Sequence, residues 1–215
     1  MNNDKKVALL QMCYLFEDLS KEDLSLIASQ AKEKVLPKNK TFMEAGRRAN
    51  NIYIIASGLV KVFHITEEGK EIILALRSRS NVVGEFELLD EEEQLRSVSI
   101  KTLKDTRVLV LPKDVFKTIL ATHPAMLLAL SRYILKLLRR KNNQIELLVS
   151  QSLGDRALQI LETLQKYFPD KEITLSHDDI ASLVGATRPR VTEVLHNLAK
   201  ENKILLGHKS IRVLQ

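Results

Sequence analysis

Thr187, Arg188 and Arg190, followed by Glu193, are the side chains here whose types and spacing point most clearly to chemistry. A guanidinium can donate two hydrogen bonds to the O6 and N7 of guanine. A carboxylate can accept from the N4 of cytosine, and an apolar edge can meet a thymine methyl. Pro189 supplies such an edge. At helical spacing the opposite side of this segment is Val191, Val194, Leu195 and Leu198, so the polar group falls on an exposed leading edge. Glu193 can alternatively pair with Arg190 or Arg188 within the helix.

A second group lies upstream. Gly84-Glu85 and Arg96-Ser97 flank a segment with a short helical turn around Leu88 and Leu89. A glycine, amides at a helix start, an arginine and a hydroxyl can cradle an anion. The same dipeptides also fit a surface loop with one ion pair.

Catalytic patterns are missing from the sequence. It has no Ser-His-Asp order and no Walker loop. The five histidines, at 64, 123, 177, 196 and 208, have no metal-ligand spacing. Cys13 is the single cysteine, which permits neither an internal disulfide nor an iron–sulfur cluster, and it is expected as a small buried hydrophobe in a helix. No catalytic residue, metal ligand or obligatory cofactor is therefore assigned.

The first group needs a helix-turn-helix to position it. Ser176 is a helix N-cap with Asp179 three residues on. Ile180, Leu183 and Val184 give a first helix its apolar stripe, and Gly185 breaks it at a left-handed corner. Thr187 caps the second helix, with Pro189 in its first turn. A helix over 155–168, a strand over 173–175 and a hairpin over 202–214, turning at 207–209, make the whole a winged helix. Ser176 and His177 at the first helix, and His208 and Lys209 on the wing, complete the candidate DNA contacts. An αα-hairpin in an all-α core is the plainer reading of the two helices alone.

The second group needs a strand-rich scaffold. Residues 4–32 read as helical, with a second helix starting after Ser20. From 35 to 112, six to eight short strands alternate with glycine breaks, and Glu-Glu-Gly-Lys at 67–70 is a hairpin turn. Such a set predicts a small antiparallel barrel or jelly roll able to hold one small ligand. A short helix over 112–120 leads to the longest helix, from 124 to about 150. Leu127, Ser131, Ile134, Leu138, Lys141, Ile145 and Leu148 follow a 4-3 spacing, which predicts a coiled-coil seam and a homodimer. Leu128, Leu135 and Leu147 are expected to pack on the barrel. Lys141 and Asn142 interrupt the apolar run, either to set register or to face a ligand.

The fold class is thus α+β: a β-roll sensor with N-terminal helices (1–122), a long dimerisation helix (123–151) and a winged helix-turn-helix (152–215). With 33 Lys and Arg against 27 Asp and Glu among 215 residues, the net charge of +6 suits a phosphate backbone without requiring one. No apolar run approaches the roughly 20 residues of a membrane span, and the N-terminus does not read as a signal peptide. A cytoplasmic protein without membrane contact is expected.

This order of parts, with Gly84-Glu85, Arg96-Ser97 and IASLVGATRPRVTEVLHNLAKENKI, resembles the Crp–Fnr family of bacterial transcription regulators over roughly 16–214. The resemblance implies a cyclic-nucleotide-type effector, with Glu85 on the ribose hydroxyl and Arg96 and Ser97 on the phosphate. The adenine contacts would fall near Leu137, Lys141 and Asn142, where the usual threonine and serine are replaced. Glu87 stands where nucleotide-binding members have a small residue, and a carboxylate there repels a phosphate. The acidic stretch 90–93 adds to this. Pro189 and Glu193 likewise replace the family's usual glutamate and second arginine, which implies a different half-site. The expected function is a homodimeric, sequence-specific DNA-binding regulator. Its partners would be double-stranded DNA, a second copy, RNA polymerase and a small-molecule effector. The alternative is an effector sensor whose winged helix contacts protein.

Overall fold

The computed structural model describes residues 1–86, 95–168 and 170–214; the expectations placed on Glu87, on Leu88 and Leu89, and on 90–93 lie outside the described residues. The chain divides into two compact units.

The first unit comprises Met1–His64 and Leu76–Leu138. Helices α1 (Asn3–Gln11) and α2 (Lys21–Gln30) start where Asn2 and Ser20 accept the amides of Lys5 and Asp23. Between them the apolar stretch expected as helical gives way to turns over 12–19. Cys13 and Phe16 donate their amides three residues back, to Leu10 and Cys13, each at 2.9 Å, and Cys13, Leu15 and Phe16 are buried.

Eight strands follow: β1 (Lys32–Leu36), β2 (Thr41–Met43), β3 (Asn51–Ser57), β4 (Leu59–Ile65), β5 (Glu71–Ser78), β6 (Val82–Val83), β7 (Ser99–Thr102) and β8 (Thr106–Pro112). They form two four-stranded sheets, ordered β1-β8-β3-β6 and β2-β7-β4-β5. Period-two alternation makes β3 and β8 serve two cores. Ile52, Ile54, Leu109 and Leu111 face the helices, in one cluster with Leu10, Phe16 and Ile27. Ile55 and Val108 face the roll interior, with Met43, Val60, Val83 and Ile100.

Helix α3 (Lys113–Thr122) and the start of α4 (Pro124–Ser150) close the first core through Phe116, Ile119, Met126 and Leu130. This corrects the expected packing stripe of α4. Leu128 and Leu135 are 53% and 57% exposed, and Met126, Ala129 and Leu130 are buried instead. A leucine-dense helix offers several apolar stripes, and the sheet takes the one carrying Met126 and Leu130.

The second unit comprises Ile65–Ala75 and Arg139–Gln215. It adds α5 (Leu153–Gln165), α6 (His177–Val184), α7 (Arg188–Lys200), β9 (Ile204–Gly207) and β10 (Ser210–Val213). Ala157, Leu161, Ile180, Val184, Val191, Leu195, Leu198, Ile204 and Ile211 are among its buried residues. Helix α5 starts two residues before the expected Asp155, because Ser152 is the cap that accepts the Asp155 amide, and it stops short of Phe168. The expected strand at 173–175 is a single bridge, Ile173 to Ile211. Gly207 belongs to β9, so the wing turns on His208 and Lys209, the latter at φ +57°. Among the described residues no single helix is long and apolar enough to cross a membrane.

Candidate nucleic-acid interface and effector site

The helix-turn-helix is built from local rules. Ser176 and Asp179 close a full capping box: the Ser176 hydroxyl accepts the Asp179 amide at 3.1 Å, and Asp179 Oδ2 accepts from the Ser176 amide at 3.3 Å. Gly185 ends α6 at φ +69°, ψ +43°, a left-handed corner that a side chain strains. A Cβ there would also stand 3.3 Å from Leu148 Cδ2. Thr187 takes the N-cap position of α7 through its backbone, but its hydroxyl makes no capping bond, which corrects the expected cap. Pro189 lies in the first turn, where a missing N–H costs nothing.

Helix α7 buries Val191, Leu195 and Leu198, and Thr187, Arg188, Pro189, Arg190 and Glu193 are exposed on its other side. Arg188 pairs at 3.3 Å with Asp178 of α6 rather than with Glu193, both side chains being 65% exposed. A pair so exposed is worth at most about 1 kcal/mol, so a phosphate or base edge can take the guanidinium over. His177 Nδ1 lies 2.9 Å from the Thr192 hydroxyl and ties the start of α6 to α7. Burial, and then the Arg188 and His196 charges, hold the His177 imidazole below its usual pKa. His208 and Lys209 are exposed on the wing. Helix N-terminus, two arginines and a basic wing tip can hold phosphates and read a groove.

In the roll, Gly84 adopts φ +82°, and a Cβ there would meet the Arg96 guanidinium at 2.6 Å. Only glycine admits this approach. Arg96, 4% exposed, donates to the Gly84 carbonyl at 2.7 Å and to the Asn51 carbonyl. It also lines a cleft of about 300 Å³ with Arg47, Arg48, Asn50, Asn51 and Tyr53. Ser97 is exposed just before β7, which begins at Ser99. Glu85 is 2% exposed and accepts a hydrogen bond of 3.0 Å from the Tyr14 hydroxyl. The Tyr14 ring stacks on Tyr133 of α4, centroids 3.8 Å apart.

On α4, Leu127, Ile134, Leu138, Ile145 and Leu148 are 44–60% exposed along the expected seam. Lys141 Nζ donates to the Leu74 carbonyl of β5 at 2.8 Å, and Asn142 is exposed. Three further residues had no signal in the sequence: Tyr14, Asp178 and Ser182, whose partners are set by tertiary packing. Among the described residues no cluster of His, Cys, Asp and Glu could hold a metal ion.

Residues 33–123 match the cyclic nucleotide-binding domain, and residues 129–215 match the Crp-like helix-turn-helix domain. A cAMP-activated global transcriptional regulator CRP of Pasteurella multocida is 30% identical over 82% of this chain and 87% of that protein. The cyclic AMP receptor protein of Thermus thermophilus is 29% identical over 93% of this chain and 91% of that protein. A Crp/Fnr-family regulator from Eubacterium rectale superposes with a TM-score of 0.79 at 19% identity, covering 95% of each chain, which speaks to fold alone.

Proposed function

Because this chain belongs to the Crp family of transcription regulators, we propose that it is a sequence-specific DNA-binding regulator that acts as a homodimer and reads a palindrome with α7. The carrying observation is the exposed Thr187-Arg188-Pro189-Arg190 edge of α7, backed by buried Val191, Leu195 and Leu198. Arg188 and Arg190 contact base edges, Pro189 a methyl and Glu193 a cytosine amine. Ser176, His177, His208 and Lys209 position the unit on phosphates. The dimer forms along Leu127, Ile134, Leu138, Ile145 and Leu148, which places the two reading helices about one DNA turn apart. The roll takes a small-molecule effector around Gly84, Glu85, Arg96 and Ser97. Such an effector acts only through its differential affinity for two arrangements of the protein. RNA polymerase is the partner in the cytoplasm, and the relatives that support this reading are regulators rather than enzymes.

The test is selection of binding sites from random duplex DNA at about 0.15 M salt, where non-specific attraction is weakened, with and without cyclic AMP. An enriched palindrome in either arm is the expected result. Enrichment in both arms removes cyclic AMP as an obligatory effector. No enrichment in either arm overturns DNA reading and favours the protein-contact role.

A further inference from the structure

We propose that Tyr14 is a built-in competitor for Glu85, and thereby a residue that sets which ligands the roll accepts: a ribose-bearing nucleotide must share or contest the carboxylate with its phenol. The inference rests on the reading of Glu85 as an effector contact.

The geometry comes from three chain segments. Tyr14 lies in the turns between α1 and α2, Glu85 follows β6, and Tyr133 lies on α4. The phenol donates to Glu85 Oε1 at 3.0 Å, and the carboxylate is 2% exposed. A buried carboxylate needs donors, and this one takes a donor supplied by the chain itself. The ring is held by its stack on Tyr133, at 3.8 Å and 19°, and Phe86 lies parallel to Tyr133 on the residue next to Glu85. Burial and the Glu85 charge push the phenol far above its usual pKa, so it stays a donor at every physiological pH.

A ribose hydroxyl approaching Glu85 offers the same kind of donor that Tyr14 already provides. The phenol is intramolecular and held in place by its stack, so it competes at a high effective concentration. A ligand that gains its affinity elsewhere, without a donor for Glu85, meets no such competition. Tyr14 therefore discriminates against ribose by competing for the carboxylate, with no change in the carboxylate itself.

The test is calorimetric titration of cyclic AMP into the full chain as wild type, Tyr14→Phe, Glu85→Gln and the double variant. Tyr14→Phe keeps the stacked ring and removes only the donor. Its affinity for cyclic AMP is expected to rise about tenfold or more, the scale of one hydrogen bond to a charged group. The gain should vanish when Glu85→Gln is also present, which a merely structural role for Tyr14 does not predict. Tyr14→Leu, a second variant checked for folding by its melting curve, must shift in the same direction. Measurable and equal affinity in wild type and Tyr14→Phe overturns the Tyr14 proposal and leaves the roll a nucleotide binder. No binding to any of the proteins overturns both, and the DNA selection remains an independent judge of α7.

Discussion

The Ser182 hydroxyl of α6 accepts the Ile73 amide at 2.6 Å and donates to the Glu71 carbonyl at 2.9 Å. Strand β5 is an edge strand, so these backbone groups have no further strand to pair with on that side. One side chain of the helix-turn-helix thus closes two edge groups, and Lys141 closes a third at Leu74. Ser182→Ala returns the two groups to water at a cost of about 1 kcal/mol. Amide exchange at Ile73 should accelerate about fivefold, read by NMR or mass spectrometry. An unchanged exchange rate would show that the strand edge does not depend on Ser182.

Cys13 gives a chemical readout of the first core. Burial pushes its thiol up to about 12, with Arg79 pulling weakly the other way, and its Sγ lies 3.2 Å from the Leu9 carbonyl. The thiolate is the reactive form, and at pH 8 it is scarcely present. Native protein should therefore leave Cys13 unmodified by a disulfide reagent, with full reaction only after denaturation. Rapid labelling of the native protein would contradict this packing.

Much of the helix-turn-helix was legible because its determinants are local. The Ser176–Asp179 box, the left-handed Gly185 and the stripe of Val191, Leu195 and Leu198 are each decided within a few residues. The roll was legible as a class through alternation, as in Ile52 and Ile54 against Ile55. The Tyr14–Glu85 contact was not, since 71 residues separate its partners and no periodicity links them. The packing face of α4 was misread for a related reason: Leu127, Leu128 and Leu130 define competing stripes, and only the sheet beneath chooses among them. The partner of Arg188 was missed because Asp178 belongs to the other helix of the pair.

His177 predicts a pH dependence. Its imidazole is held below its ordinary value by burial first, then by Arg188 and His196, with Asp178 opposing. The unfolded chain therefore binds the proton more readily than the folded one, so stability rises with pH through this window and is lost as pH falls below about 6.5. The melting temperature should drop between about pH 7 and pH 5.5, and His177→Asn should reduce the drop. Asp23, held below its usual value by Ser20 first and then His123, acts only at lower pH, near and below the ordinary carboxylate range. Equal slopes for wild type and His177→Asn would remove His177 as the source.

On the proposed reading, Arg190 reads base edges and Lys209 holds phosphates, and two substitutions separate these roles. Arg190 projects from the first turn of α7, and Lys209 is exposed at the wing tip. Arg190→Ala should cost about 1–3 kcal/mol on the selected site and little on random DNA. Lys209→Ala should weaken both alike and lower the salt slope by about one counterion. Equal losses on both DNAs for Arg190→Ala would place it on the backbone instead.

The proposed dimer seam can be tested on a residue that is largely exposed in the single chain. Leu138 is 57% exposed, so Leu138→Glu leaves no cavity and little lost packing within one chain. In a coiled-coil seam the same change buries a charge against its own copy, which is severely unfavourable. Leu128→Glu, at a residue 53% exposed and off the seam, is the control. By sedimentation, Leu138→Glu should be monomeric at concentrations where wild type and Leu128→Glu are dimers. Its affinity for the palindrome should fall about a hundredfold or more, because a lone reading helix loses the avidity of two. A monomeric Leu128→Glu beside a dimeric Leu138→Glu would move the seam to the neighbouring stripe. Full palindrome affinity in a monomer would remove dimerisation from the reading mechanism.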